Sequence, residues 1–321
     1  MYHLKVLSSI MLCESKNVIK RSNMTKSLET IIKPMSRSEF LDHYLHNKPV
    51  ITHGLLDDLS ELTALPFLTS LDSLLEAWPT FVTAYMEGIA DEGNSAKVTT
   101  TQARELFSKG SGLCFDDANN FCEILDQWPD AIRKDLGLSA LTYSRSLIYA
   151  TKAGEGTDPH FDQNINFVIQ ISGTKKWWVA PNTHVENPLS RHTIGLEMDP
   201  ELASYSNNGM PDTFPTGGVE FTLKPGSMLF VPRGSWHKTE ALSDAVSLNF
   251  TFTAPSWLDL LTTAMRGRLA QSPDWRETAN FVSDEKMQSQ AIEKFEILLA
   301  ELSHDVQGWR ATDILGATEG E

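Results

Sequence analysis

The spacing of apolar residues changes twice along the chain and divides it into three parts. Up to about residue 136, apolar side chains recur at helical intervals, and Ser36 and Glu39 have the spacing of a capping box. From residue 144 to Pro255 the apolar runs are short and are bounded by turn-forming residues, which is typical of β-strands. After Pro255 the helical spacing returns, in WLDLLTTAMRGRLA and in a stripe from Ile292 to Leu302. The pattern predicts helices, then an antiparallel β core, then helices.

In the first part, a helix is predicted from Ser36, and its apolar side consists of Phe40, Tyr44 and Leu45. The run VITHG after Pro49 predicts a strand. Helical patterns follow over residues 59–80, 101–108 and 117–136, and a strand is predicted over residues 80–86. The polar run DEGNSAK, residues 91–97, is expected to be a solvated loop.

The β core is predicted from runs at residues 144–154, 164–172, 175–180, 219–223, 228–232 and 245–253. Gly173 and Thr174 separate two of these runs and give a hairpin-like signal. Residues 182–220 are polar and contain several Pro and Gly residues. Because long connections in compact domains are often functional, we expect this one to be a lid or a wall of the substrate site.

Composition narrows the classes of partner. The 321 residues carry a formal net charge of −15, which argues against non-specific nucleic-acid binding and favours a basic partner such as a cationic peptide. Three cysteines without a CxxC pair argue against a zinc ribbon and favour a reducing cytoplasm. No apolar run approaches the roughly 20 residues of a membrane-spanning helix. Residues 1–35 are expected to be a flexible extension.

Two histidines and one aspartate form a candidate metal site. His160 and Asp162 follow the turn GEGTDP, and in a strand residues i and i+2 point to the same face. His237 follows the turn PRG and begins another predicted strand. Two histidines and one carboxylate leave coordination positions open, which suits non-haem Fe(II).

A His-x-Asp/Glu triplet alone is weak evidence, because about one is expected by chance from 9 His and 42 acidic residues in 321. His184 and Glu186 form a second such triplet, but no predicted strand follows it. We interpret that triplet as a surface pair. For His160 and Asp162, a hydrogen-bonded structural pair is the alternative, and the Gly-rich turn together with His237 favours metal binding.

These stretches resemble the JmjC-domain, cupin-type Fe(II)- and 2-oxoglutarate-dependent dioxygenases, nearest to the ribosomal-oxygenase branch and related bacterial proteins. The resemblance covers most of residues 36–255 and rests on FLDHYLHNKPVI, GEGTDPHFDQ, GTKKWW, PRGSWH and SLNFTFTAP. It implies a mainly β fold, a double-stranded β-helix of the cupin or jelly-roll type, with N-terminal helices. It also implies a catalytic domain over residues 36–255 and a helical C-terminal region over residues 256–321, of a kind that often mediates dimerisation in this branch. The apolar stripe of Leu260, Leu261, Met265 and Leu269 favours pairing of two chains, and packing against the chain's own barrel is the alternative.

The resemblance also implies site residues. His160, Asp162 and His237 match the iron ligands, and Lys175 matches the basic residue that binds the distal carboxylate of 2-oxoglutarate. Further polar positions match the co-substrate pocket in the family or lie beside it, each with a structural hydrogen bond as the alternative: Thr157, Asn166, Asn249 and, more weakly, Tyr149.

Lys175 and Lys176 are adjacent, so in a strand one faces the barrel and the other faces solvent. Family position favours Lys175, whereas strand parity does not decide. The chain departs from the family at Ser235, where a tryptophan is common, and at Asp158, which is either a turn residue or a contact for a basic substrate. Trp177 and Trp178 are interpreted as packing residues.

The expected activity is hydroxylation of a protein or peptide side chain, with iron as the cofactor, 2-oxoglutarate and O2 as co-substrates, and succinate and CO2 as co-products. Hydroxylation of a small metabolite or a biosynthetic peptide is one alternative. A non-catalytic cupin binding module is another, and the intact triad of His160, Asp162 and His237 argues against it. An isomerase or other metal enzyme on the same barrel is a third, and Lys175 argues against it.

Overall fold

The computed structural model describes residues 26–206 and 209–318, and this part of the chain falls into two compact units. The first, called here the β unit, comprises residues 26–138 and 143–253. The second, called the helical unit, comprises residues 139–142 and 254–318.

The β unit contains two antiparallel sheets. Its strands are β1 (Val50–Thr52), β2 (Val82–Tyr85), β3 (Ser95–Val98), β4 (Leu113–Phe115), β5 (Tyr143–Thr151), β6 (Gly156–Phe161), β7 (Ile165–Ser172), β8 (Lys175–Ala180), β9 (His192–Thr193), β10 (Val219–Leu223), β11 (Met228–Val231), β12 (Trp236–Ala241) and β13 (Ala245–Thr253). The first sheet has the order β1-β11-β7-β13-β5-β4-β2-β3, and the second has the order β10-β8-β12-β6-β9. The two sheets confirm the predicted mainly β, cupin-type core.

Helices precede the strands and lie between them. They are α1 (Leu28–Ile31), α2 (Arg37–Leu45), α3 (Ser60–Thr63), α4 (Leu71–Ala77), α5 (Thr100–Ser108), α6 (Glu123–Asp135) and α7 (Pro200–Tyr205), with 3-10 turns at Pro66–Leu68, Glu92–Asn94 and Ala118–Asn120. Helix α2 begins with the predicted capping box, in which the Ser36 hydroxyl accepts from the Glu39 N–H and the Glu39 carboxylate accepts from the Ser36 N–H. The predicted apolar side of α2 is wrong at Leu45, which is 74% exposed.

The three central strands of the first sheet present two different faces. Residues such as Ile148, Phe167 and Phe250 point away from the second sheet and pack with the helices in the main hydrophobic core. The alternate residues point towards the second sheet and form rows across β5, β13 and β7, the first of which is Arg145, Thr251 and Asn166. This alternation separates a dry core from a polar interior between the sheets.

The signal at Gly173 and Thr174 does not produce a hairpin. Strand β7 pairs with β11 and β13 in the first sheet, whereas β8 pairs with β10 and β12 in the second. Gly173 therefore lies where the chain crosses from one sheet to the other. Its φ is +71°, and a Cβ there would lie 2.1 Å from the carbonyl oxygen of Asp244. Glycine is required at this position by both conformation and space.

Two further expectations are corrected by burial. Residues 1–25 of the predicted flexible extension lie outside the described residues, but its last part forms α1, and Leu28, Ile31 and Ile32 are completely buried in the main core. The run DEGNSAK is not a uniformly solvated loop, because Asp91 is only 1% exposed. The run forms a 3-10 turn and β3 instead of a loop.

The helical unit comprises α8 (Trp257–Leu269), α9 (Pro273–Arg276), α10 (Gln288–Val306) and α11 (Ala311–Thr318). Leu298 is the one large apolar side chain in its described part that is buried. Among the residues that the structure describes, no helix combines the length and the apolar character needed to cross a membrane.

Candidate active site

The structure brings His160, Asp162 and His237 together. Strands β6 and β12 pair in the second sheet with His160 opposite His237, and their ring centroids lie 4.1 Å apart. Asp162 follows β6 directly, and its Oδ2 lies 3.6 Å from Nε2 of His237. One ligand atom from each of the three residues falls within 4.8 Å of the others. His184, in the second His-x-Glu triplet, instead packs edge-on against Trp236.

Backbone carbonyls orient both imidazole rings. Nδ1 of His160 lies 2.7 Å from the carbonyl oxygen of Asp158, and Nδ1 of His237 lies 2.9 Å from that of Ser235. A carbonyl can only accept, so each Nδ1 carries the proton and each Nε2 is left with a lone pair for a metal ion. The departure at Ser235 therefore leaves the orientation of His237 intact, because its main chain supplies the acceptor.

The electrostatic surroundings keep Asp162 and His237 in their metal-binding forms. Burial and the neighbouring His160 lower the pKa of His237 to about 4. Burial opposes ionisation of Asp162, but His160, His237 and Arg191 outweigh it and lower the pKa of Asp162 to about 2. Neutral imidazole and ionised carboxylate are the forms that bind metal, so the donor set fits an Fe(II) ion with open positions.

Lys175 is a buried cation in the same cavity. It is 3% exposed, and its Nζ donates to the Thr151 hydroxyl at 3.0 Å and lies 5.7 Å from the centre of the Trp177 ring. Burial lowers the pKa of Lys175 to about 8. No carboxylate of the described residues forms an ion pair with it, so an anionic ligand would supply the missing charge.

The neighbouring Lys176 points the other way. Its Nζ forms an ion pair with Glu220 at 2.9 Å on the outer face of the second sheet. The alternation along β8 also separates Trp177, which is buried beside His237, from the partly exposed Trp178. Of the two adjacent lysines, Lys175 therefore faces the cavity.

The other predicted pocket residues all line the cavity, which has a volume of about 120 Å³. The Thr157 hydroxyl lies 2.9 Å from that of Thr239, and Asn166 contacts Asp162 Oδ2 at 3.4 Å through Nδ2 and accepts from the Thr251 hydroxyl. The half-buried Tyr149 donates to Glu92 at 2.9 Å, and desolvation raises its pKa well above the usual value.

Several buried polar atoms along the cavity lack a hydrogen-bond partner. They are Asn249 Oδ1, Trp177 Nε1, Arg145 Nε and Gln163 Oε1. Arg145 and Thr151 are six residues apart on β5, or roughly 20 Å in an extended strand. Since Lys175 contacts Thr151, it lies at one end of the cavity, whereas Arg145 lies towards the other. Unpaired buried polar atoms are costly, so both regions are suited to polar ligands.

The sequence interpretation missed two charged residues of the site. Arg191 lies in the connection of residues 182–220, and its Nη1 and Nη2 each donate at 2.7 Å to one oxygen of Asp91. Its Nε donates to Asp162 at 3.3 Å. Asp91 precedes Arg191 by 100 positions, and the polar DEGNSAK run gave no signal of burial.

One carboxylate oxygen of Asp158 is engaged by the backbone of a neighbouring loop. Its Oδ2 accepts from the backbone N–H of Ala90 at 2.7 Å, and its own N–H donates to the Ala90 carbonyl. These two hydrogen bonds give Asp158 a structural role, because they fix the loop that carries Asp91.

Comparisons with known proteins agree with this geometry. The family model described as JmjC domain matches residues 121–260. The uncharacterized protein YxbC of Bacillus subtilis is 32% identical over 265 residues, which are 80% of this chain and 80% of that protein. Ribosomal oxygenase 2 of Bos taurus is 31% identical over 255 residues, 74% of this chain and 50% of that protein, so the chain spans half the length of that relative.

A solved structure shares the fold. It is that of YcfD, a ribosomal oxygenase from Escherichia coli in complex with cobalt and succinic acid. The TM-score is 0.51 at 18% sequence identity, and the match covers 84% of this chain and 67% of that one.

Proposed function

This chain belongs to the JmjC-domain family of Fe(II)- and 2-oxoglutarate-dependent oxygenases, and from that premise we propose that it hydroxylates a side chain of a ribosomal protein. The observation that carries the proposal is Lys175, a buried lysine with no acidic partner among the described residues, in the cavity that holds His160, Asp162 and His237. When bound, the iron and 2-oxoglutarate supply the oxidising chemistry that inserts one oxygen atom of O2 into a C–H bond, with succinate and CO2 as co-products.

The residues of the chain bind and orient. His160, Asp162 and His237 would hold the iron, and the ring protons of the two histidines stay on Nδ1 through the two backbone carbonyls. Lys175 donates to the distal carboxylate of 2-oxoglutarate, a charge-assisted bond that replaces the missing counter-ion. The unpaired Nε1 of Trp177 is a further donor beside Lys175.

The remaining pocket residues complete the co-substrate site. The amide of Asn249 can turn over to offer its nitrogen to a carboxylate. The hydroxyl of Thr157 and the ring hydroxyl of Tyr149 line the same cavity from different sheets and act as further polar contacts. Asn166 acts on the metal side, through its contact with Asp162.

The substrate enters from the Arg145 end, opposite Lys175. Arg145 Nε and Gln163 Oε1 lack partners there, so they are free to bind the amide groups of a peptide segment. The name of the bovine relative points to the ribosome, and the net charge of −15 favours a segment that is basic or polar. With a cationic substrate, the initial rate of hydroxylation should fall as added salt screens the attraction between the substrate and the acidic protein.

We also propose that residues 36–255, together with α1, form the catalytic domain and that residues 256–321 pair two chains. The described part of the helical unit exposes many large apolar side chains for its size.

The proposal is tested by following succinate release from 2-oxoglutarate in the presence of Fe(II), O2 and a mixture of purified ribosomal proteins. We expect release to rise above the rate without protein substrate, and to be lost in Asp162→Ala. A free amino acid or sugar that stimulates release as strongly as the ribosomal proteins would overturn the assignment of a polypeptide substrate.

A further inference from the structure

We propose that Arg191, held in place by Asp91, reserves one carboxylate oxygen of Asp162, so that this ligand gives the metal ion a single oxygen. The inference rests on the proposed function, because it concerns how the iron site keeps room for 2-oxoglutarate. Arg191 is a positioning residue in this scheme, since it acts through Asp162 and not on the substrate.

The two oxygens of Asp162 have different surroundings. Oδ1 accepts from Nε of Arg191 at 3.3 Å. Oδ2 faces the metal side, 3.6 Å from Nε2 of His237 and 3.4 Å from Nδ2 of Asn166. Arg191 therefore engages the oxygen on the far side from His237. One oxygen of the carboxylate is thus engaged by Arg191, and the other faces the metal side beside His237 and Asn166.

Asp91 fixes the guanidinium in this orientation. Both of its oxygens are taken by Nη1 and Nη2 of Arg191, each at 2.7 Å, which is the bidentate geometry of a strong arginine–carboxylate pair. Asp91 itself is almost fully buried, and its Oδ1 also accepts from the N–H of Gly93. With one N–H of each Nη committed to Asp91, the guanidinium is held so that its Nε N–H is aimed at Asp162.

A purely structural role explains this arrangement less well. A buried ion pair is seldom a net source of stability, because desolvation offsets the attraction. The pair also joins three distant segments, the turn of Asp91, the end of β6 and the connection before β9, at one metal ligand. Partners of metal ligands are the recurrent means by which proteins orient those ligands.

The arrangement predicts which ligand is bound more weakly when Arg191 is substituted. A carboxylate can give an ion one oxygen or two, and the second mode uses an additional coordination position. Loss of Arg191 also removes a positive charge, which by itself favours binding of a divalent cation. Substitution of Arg191 should therefore weaken binding of 2-oxoglutarate more than binding of the metal.

The test uses the full chain loaded with Co(II), in the absence of Fe(II), so that no turnover is needed. The variants are Arg191→Gln, Arg191→Lys, Asp91→Asn and the double variant Arg191→Gln/Asp91→Asn. The control is Tyr205→Phe, because the Tyr205 hydroxyl accepts from the N–H of Leu189 in the same connection without touching Asp162. Calorimetry measures Co(II) and 2-oxoglutarate affinity, visible absorption reports the Co(II) coordination, and circular dichroism checks folding.

In Arg191→Gln we expect 2-oxoglutarate to bind roughly tenfold or more weakly, with a changed Co(II) spectrum and with Co(II) affinity reduced less than 2-oxoglutarate affinity. Arg191→Lys should be intermediate, and if Arg191→Gln does not fold, Arg191→Lys is judged by the same criterion. Asp91→Asn alone should weaken the binding of 2-oxoglutarate. In the double variant it should cause no loss of affinity beyond that of Arg191→Gln, because Asp91 acts through Arg191.

An unchanged spectrum together with 2-oxoglutarate affinity within about twofold of wild type in Arg191→Gln would overturn the inference. An equal loss in Tyr205→Phe would also overturn it, because the effect would then come from anchoring the connection. If the wild-type Co(II) protein does not bind 2-oxoglutarate, the proposed function fails instead, so the two failures are distinguishable.

Discussion

At the scale of single residues, the site depends on which of two adjacent lysines enters the cavity. Lys175 is buried beside Trp177, whereas Lys176 pairs with Glu220 on the outer face. Lys175→Ala should weaken 2-oxoglutarate binding by about 1.5–3 kcal/mol, roughly 10- to 100-fold, because a charge-assisted bond is lost. Lys176→Ala is the matched control and should change the affinity for 2-oxoglutarate little. Calorimetry on the metal-loaded protein makes the comparison, and a larger effect for Lys176 would reverse the assignment.

The same lysine predicts a pH dependence. Burial lowers the pKa of Lys175 to about 8 in the ligand-free protein, and the protonated form binds the carboxylate. Affinity for 2-oxoglutarate should thus change little just below pH 8 and fall by up to about tenfold per pH unit above it, since binding then requires uptake of a proton. Lys175→Arg keeps its charge at high pH and is the control. The prediction fails if both proteins lose affinity in parallel.

Local sequence patterns predicted part of the site, but they did not reveal the residues that lie far apart in the chain. His160, Asp162 and His237 stand next to turns that can be recognised in the sequence, and the structure brings them together. Arg191 and Asp91 form an ion pair across 100 positions, and each looks like an ordinary loop charge in the sequence. No local pattern reports such a pair, because only the closed barrel places the two segments side by side.

At the scale of elements, the pattern of apolar and polar residues predicted the strands but not which strands pair with each other. The runs at 219–223 and 245–253 match β10 and β13 residue for residue. The hairpin signal at Gly173 failed because a glycine turn serves equally well where a chain crosses between two sheets. Helical spacing over residues 59–80 likewise became α3, a 3-10 turn and α4, since Pro66 begins a new turn.

Because Gly173 lies where the chain crosses from one sheet to the other, its substitution tests how closely the backbone packs at that crossing. Gly173→Ala would place a Cβ against the Asp244 carbonyl at a φ of +71°, so both backbone strain and overlap oppose it. Gly137→Ala is the matched control, because its φ is +69° but nothing lies within 4 Å of the added Cβ. We expect Gly137→Ala to lower the free energy of unfolding by about 1–2 kcal/mol and Gly173→Ala by about 1–3 kcal/mol more. Urea unfolding measures both, and equal losses would contradict the role of the close contact.

At the scale of the whole molecule, the described part of the helical unit buries only one large apolar side chain, Leu298. Its large apolar side chains that are exposed include Trp257, at 79%, together with Leu258, Leu261, Phe281, Val282, Ile292, Phe295, Ile297, Leu299, Val306 and Leu315. Ile292, Phe295 and Leu299 have the spacing of one face of α10. A surface of this kind is typical of an interface.

If this surface pairs two chains, truncation after Pro255 should convert a dimer into a monomer by light scattering. Phe295→Ser should weaken the dimer, whereas Glu296→Ser, at an exposed position on the same helix, should leave it intact. A wild-type protein that is monomeric at micromolar concentration would remove the basis for the proposed pairing.

The central claim is that the chain places one oxygen atom on a ribosomal protein, and peptide mass spectrometry tests it most directly. Ribosomal proteins are incubated with the enzyme, Fe(II), 2-oxoglutarate and O2, and the peptides are compared with those from Asp162→Ala. The account predicts a gain of one oxygen atom at a defined side chain of a ribosomal protein, dependent on 2-oxoglutarate and absent in the variant. The absence of any such gain with wild-type enzyme that binds both iron and 2-oxoglutarate, or an equal gain with Asp162→Ala, would contradict it.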